Sequence, residues 1–286
     1  MNEALNFFIT NQIPRKLATR LVGWASRIEL PFVRDLSIAL LGLFGDLRLH
    51  EAKKARFSSL HDCFVRELKE GVRPLHADPA VLVSPCDGIV GASGAIDDTE
   101  LLQAKGSSYS LEELLGDPAA VERYRGGSYV TLRLSANMYH RFHAACDCRL
   151  EGATYISGDT WNVNPPTLSR IARLYCKNER VAIHARVDSS DQFVTLVAVA
   201  AILVASIHLS FLDESLTLSY SGPTRIPCDA RYRKGEELGY FHHGSTVIVL
   251  ATRGLTVCEQ VRFGEIVRMG EPLLRRCDVA VQGIAS

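Results

Sequence analysis

Residues 193–207 run for 15 positions without a charged side chain, and burying them limits what the rest of the chain can form. A membrane-crossing helix needs about 20 predominantly apolar residues. This stretch is shorter, is rich in Val and contains Thr, and is followed quickly by Asp213 and Glu214. Because β-branched residues suit a pleated surface, it predicts one or two buried strands.

The pattern recurs beyond residue 75. β-prone runs at 80–83, 128–134, 180–187 and 246–251 are separated by Gly, Pro, Asn and Asp, the punctuation of a strand-rich body. Residues 111–115 read as a short helix. With 47% hydrophobic content in 286 residues, the chain can bury one substantial core. The expected fold class is α+β: N-terminal amphipathic helices in a membrane-associating segment, 1–74, then a β-rich, largely antiparallel catalytic body, 75–286.

The helical expectation rests on Ile13, Leu17, Leu21, Trp24 and Ile28, which fall within an arc of about 80° on a helix. Arg20 and Arg27 lie beside that arc, where their stems can snorkel towards phosphate headgroups. Up to Arg34 the segment carries a net excess of three positive charges. An apolar stripe flanked by arginines suits a helix lying in an anionic membrane surface, although a helix docked on the protein's own core gives the same stripe. The run 36–44 is too short to span a bilayer. A compact signal core with a small-residue cleavage site is lacking, so a cytosol-facing protein is expected.

Over the whole chain, 32 basic residues balance 32 acidic ones, so no overall field favours nucleic acid. Eight cysteines are scattered without CxxC spacing. Cys146 and Cys148, with His140 and His143 nearby, invite a zinc site, but structural zinc usually takes two separated ligand pairs. The expectation is no metal and reduced thiols.

The chemistry centres on Gly244-Ser245-Thr246, which opens a β-prone run. By itself this is also an ordinary turn entering a strand. It stands with Ser84-Pro85-Cys86-Asp87-Gly88, with Met138-Tyr139-His140-Arg141-Phe142-His143, with Tyr155-Ile156-Ser157-Gly158-Asp159 and Val163-Asn164-Pro165, and with Asn178-Glu179-Arg180. Phe64-Val65-Arg66, Val72-Arg73-Pro74 and the run 105–116 add support. Together, in this order and at this spacing, the blocks resemble the phosphatidylserine decarboxylase family across nearly the whole chain.

The resemblance implies a proenzyme that cuts itself. A serine hydroxyl can attack the carbonyl of the preceding glycine if the backbone is bent and a base takes the hydroxyl proton. Attack by Ser245 on Gly244 moves the acyl group from nitrogen to oxygen. Loss of the Ser245 α-proton then eliminates the ester, and hydrolysis with release of ammonia leaves a pyruvoyl group. The products are a β chain, 1–244, and an α chain, 245–286. By resemblance His143 is the base, Asp87 its orienting partner, and His140 an aid to decarboxylation or reprotonation. The pyruvoyl cofactor condenses with the amine of phosphatidylserine and takes up the electron pair left by carbon dioxide, giving phosphatidylethanolamine. The implied setting is the cytoplasmic side of the cell membrane, peripherally attached, with the two chains pairing and a possible homodimer of such pairs.

On a strand His140 and His143 would face opposite sides, so their meeting at one site requires a bend or bulge. Two positions depart from the family pattern: His243 stands where many members have leucine, and Ala205 where glycine is common. Neither removes a reacting atom. Two other activities use parts of the same constellation. A serine hydrolase would turn Asp87, His143 and Ser245 on an external ester and leave the Gly244-Ser245 bond intact, although no Gly-x-Ser-x-Gly elbow is present. A pyruvoyl decarboxylase of a soluble amino acid would share the cut but would not need the N-terminal stripe.

Overall fold

The computed structural model describes residues 15–104, 107–188, 190–202, 206–212, 216–217, 220–242 and 245–277. Ile13, His243, Gly244 and Ala205 lie outside them. Two N-terminal helices, Arg15–Ala25 and Pro31–Gly42, precede a strand-rich body, and among the described residues every strand pair is antiparallel. The α+β expectation holds.

The central sheet has the order Arg225–Tyr232, Cys148–Ile156, Arg180–Val187, Phe193–Ala200, Ser245–Ala251, Ser128–Leu134, Gly88–Ala95 and Ile266–Val267. The uncharged stretch resolves into two strands, Phe193–Ala200 and Ser206–Leu209. Ser245–Ala251 lies at the middle of the sheet and every one of its residues is buried. Its neighbours hold it on both sides, from Ser245↔Leu134 to Ala251↔Ser128 on one edge and from Ser245↔Ala200 to Ala251↔Val194 on the other. A smaller sheet has the order Leu216–Thr217, Ser206–Leu209, Glu237–Phe241 and Arg141–His143.

Leu111–Leu115 forms the expected short helix, with Ser110 as N-cap and Gly116 ending it in the left-handed region, a conformation glycine adopts without strain. The eight cysteines are free thiols.

The helix Arg15–Ala25 turns the expected amphipathicity outward. Its buried positions are the small residues Thr19 and Gly23, continued by Ser26. The apolar stripe faces away from the body, with Leu17 at 56%, Leu21 at 57% and Trp24 at 69% exposure. The next helix buries no residue fully and adds exposed Phe32, Leu36 and Leu40, with Leu30, Leu43 and Phe44 at its ends. Docking on the protein's own core, the alternative left open by the stripe, is not what these side chains do. Among the described residues no helix is long and apolar enough to cross a membrane.

Candidate active site

Two stretches of antiparallel pairing frame the Gly-Ser position. Ser128–Leu134 pairs with Ser245–Ala251, ending at Leu134↔Ser245. Arg141–His143 pairs with Glu237–Phe241, beginning at Arg141↔Tyr240, and the Phe241 N–H donates to the His140 carbonyl at 3.0 Å. Between these stretches the 135–139 segment is turned by a Met138 N–H to Ser135 carbonyl bond of 2.9 Å. His140 and Ser245 thus flank the facing ends of the two paired stretches.

The histidine alternation is resolved locally. His140 precedes its strand, and opposite the strand the register slips between Glu237 and Gly239, so Leu238 bulges. The bulge relies on Gly239, where an added Cβ would stand 2.1 Å from the His208 carbonyl oxygen. The two imidazoles occupy different surroundings. His140 is fully buried, its Nδ1 2.9 Å from the Met138 carbonyl and its ring 4.0 Å from that of Phe64. His143 Nδ1 lies 2.9 Å from the Gly235 carbonyl and Nε2 lies 2.9 Å from the Tyr139 hydroxyl. A carbonyl only accepts, so Nδ1 carries the proton and Nε2 accepts from Tyr139. Burial pulls the His143 pKa below its ordinary value, outweighing the opposing hydrogen bond to Gly235 and the field of Glu237.

Asp87 is held elsewhere. Arg73 donates from Nε to Oδ1 at 3.0 Å and from Nη2 to Oδ2 at 2.6 Å, and the Met269 N–H donates to Oδ1 at 2.9 Å. Arg73 Nη2 also reaches Glu51 Oε2 at 2.9 Å. Burial works against the Arg73 charge, but the two carboxylates carry its pKa above the usual value. The expected hydrogen bond from His143 to Asp87 is absent in this geometry. A forked guanidinium–carboxylate pair is charge-assisted on both sides, and the Gly235 carbonyl takes the imidazole proton that Asp87 would have received. The two residues remain neighbours through the backbone, because the His143 N–H donates to the Pro85 carbonyl at 2.8 Å. Arg73, Tyr139, His143, Glu237 and Met269 line one cavity of about 280 Å³.

Ser245 is fully buried, and its Oγ has no hydrogen-bond partner among the described residues. It bonds neither His143 nor Asp87, so the three do not form a closed triad here. Gly235 gave no signal in the sequence. Tyr139 and Arg73 did, as parts of the Tyr-His-Arg and Val-Arg-Pro blocks, without a role attached. Among the described residues no group of three or more His, Cys, Asp or Glu side chains could hold a metal ion.

The N-terminal segment reaches this region directly. Arg66 Nη2 donates to the Leu47, Asn137 and Met138 carbonyls. Arg141 donates to the Val65 carbonyl through Nε and Nη2. His61 stacks on His242 at 4.8 Å, and Arg27 Nη2 lies 3.5 Å from His242 Nδ1.

The family model for phosphatidylserine decarboxylase matches residues 60–275. A phosphatidylserine decarboxylase proenzyme of Citrobacter koseri is 35% identical over 273 residues, covering 91% of this chain and 84% of that protein. The protein of the same name from Haemophilus influenzae is 33% identical over 91% of this chain and 92% of its own length. That of Aliivibrio salmonicida is 34% identical over 95% and 98%. With the match running from the Phe64 block through Ser245 and beyond, the chain belongs to the phosphatidylserine decarboxylase family.

Proposed function

We propose that this chain cuts itself between Gly244 and Ser245, converts Ser245 into a covalent pyruvoyl group, and decarboxylates phosphatidylserine to phosphatidylethanolamine and carbon dioxide. The observation that carries this reading is the fully buried Ser245 oxygen without a hydrogen-bond partner among the described residues, at the end of the Leu134↔Ser245 pairing. A buried hydroxyl left unbonded is costly, and its environment suits a side chain that reacts rather than one that stabilises. The residues present therefore fit the group.

His143 acts as base once Tyr139 leaves Nε2, and the Gly235 carbonyl keeps the ring oriented and favours the imidazolium that forms. Asp87, locked by Arg73, acts on His143 through its field, which raises the imidazole pKa. His140 supplies or orients a proton during turnover. When formed, the pyruvoyl group provides the carbonyl that condenses with the substrate amine and serves as the electron sink for loss of carbon dioxide. Scission leaves the 245–286 chain in place, because Ser245–Ala251 is paired on both edges with strands of the 1–244 chain. Two such pairs assemble as a homodimer.

The outward apolar face of the two N-terminal helices, with Arg20 and Arg34 on the same helices, docks peripherally on the cytoplasmic side of the cell membrane. That face favours a lipid substrate over a soluble amino acid. The burial of Ser245 argues against a hydrolase open to external esters. Alanine substitution separates the histidine roles: His143→Ala leaves the chain uncut, whereas His140→Ala cuts but releases little carbon dioxide from phosphatidylserine vesicles. The reverse pattern would overturn the assignment.

A further inference from the structure

The most exposed large apolar side chain among the described residues is not on the N-terminal helices. It is Phe263, at 81%, and Ile266 three positions on is 59% exposed. Both lie beyond Ser245 in the sequence.

Phe263 occupies the corner of a tight turn. The Glu265 N–H donates to the Arg262 carbonyl at 3.1 Å, and Gly264 has a φ of +84°, the conformation a type II turn asks of its third residue. The turn is pinned to the body: the Gly264 N–H donates to the Val90 carbonyl at 2.8 Å, and the Val90 N–H to the Glu265 carbonyl at 2.9 Å. A Cβ added to Gly264 would meet nothing within 4 Å, so the corner stands clear of the protein. Ile266 then pairs with Ile89 at the edge of the central sheet, while Val267 beside it is buried. Turn corners ordinarily carry polar residues. Here a held backbone projects an aromatic ring, and little further ordering is needed when it binds.

The turn adjoins the apolar helices. Ile266 lines a cavity of about 410 Å³ together with Asp46 and Leu47, and Leu43 and Phe44, at 80% and 77% exposure, come just before them. Arg48, Arg268 and Glu271 also stand in the cavity wall, and the turn carries Arg262 and Glu265. Charges of both signs are interspersed, so the attraction of this rim rests on its apolar side chains. By themselves Phe263 and Ile266 offer roughly 300 Å², well below the about 800 Å² per partner of a stable protein interface. A lipid surface takes up side chains singly.

Resting on the peripheral docking proposed above, we propose that the Arg262–Glu265 turn is a second membrane contact, through which Phe263 and Ile266 enter the same lipid surface as Leu43 and Phe44. Self-cleavage then leaves each of the two chains with its own hold on the bilayer. The cavity between the contacts reaches Met138 and Tyr139, on the segment before His140, and the two contacts hold it against the lipid.

The test is co-sedimentation of the self-cleaved protein with vesicles of phosphatidylcholine and phosphatidylglycerol, at low and high salt. Phe263→Ser is expected to weaken binding about tenfold or more at both salt levels, with the thermal midpoint unchanged, and Phe263→Trp to retain it. Unchanged binding of Phe263→Ser, while Trp24→Ser binds more weakly, overturns the second contact and leaves the helical docking standing. If neither substitution weakens binding, both readings fall. A dimer that Phe263→Ser breaks, with vesicle binding unchanged, assigns the turn to a second copy of the chain and also overturns the proposal. Intact mass of each variant reports self-cleavage separately, so a lost contact is distinguishable from failed maturation.

Discussion

Arg73 grips both carboxylate oxygens of Asp87, and the same guanidinium reaches back to Glu51. The segment that carries the outward apolar helices is thereby tied to the loop before the Gly88–Ala95 strand. Both members of the pair are nearly out of solvent, at 7% and 9% side-chain exposure. Arg73→Ala leaves a buried carboxylate uncompensated and is expected to cost about 3 kcal/mol of stability. Chemical denaturation of the uncut Ser245→Ala protein measures this without interference from scission. Adding Asp87→Asn should recover part of the loss.

Tyr139 adds a hydrogen bond to the burial that pulls the His143 pKa down. Its hydroxyl donates to Nε2, and a hydrogen bond to the neutral form holds an imidazole pKa down. Tyr139→Phe removes that bond and raises the pKa. With His143 as the proposed base, self-cleavage requires the unprotonated ring, so its acid limb should move to higher pH. Cleavage rates followed across pH in the variant and the wild type check the direction.

The outward face of the helices should govern membrane attachment independently of self-cleavage. Trp24 is 69% and Phe32 is 78% exposed. Burying one large apolar side chain in a lipid surface is worth about 1.5–3 kcal/mol. Replacing either with Ser is expected to weaken binding to anionic vesicles about tenfold or more, with normal two-fragment mass. Vesicle co-sedimentation supplies the binding measurement.

His184 makes stability depend on pH. It lies between the Thr154 and Thr195 hydroxyls, each 3.0 Å away, and burial, reinforced by the field of Arg123, pulls its pKa down to about 4. The unfolded chain, with an ordinary histidine, takes up a proton first as pH falls. Stability present above about pH 6.5 should therefore decline by about 2 kcal/mol by about pH 5. His184→Asn should flatten that slope in thermal melts across the range.

The sequence read the strands well because the burial pattern is local. Residues 128–134 and 180–187 are strands where apolar periodicity and turn residues placed them. The proposed reacting residues were legible as motif blocks, as were Tyr139 and Arg73, whereas the partners supplied by distant backbone were not. His143 finds Gly235, 92 positions away, through a pairing that no local pattern encodes, and Asp87 meets Met269 across 182 positions. The N-terminal stripe was visible, but which way it faced depended on small residues at Thr19, Gly23 and Ser26 packing inward.

Denaturing intact mass of wild type and Ser245→Ala tests the self-processing chemistry most directly. The result expected is two wild-type fragments breaking at Gly244, the smaller about 17 Da lighter than the free-serine peptide through replacement of an amine by a ketone, and one uncut Ser245→Ala chain. A single full-length 31.5 kDa species from wild-type protein that still releases carbon dioxide from phosphatidylserine would contradict it.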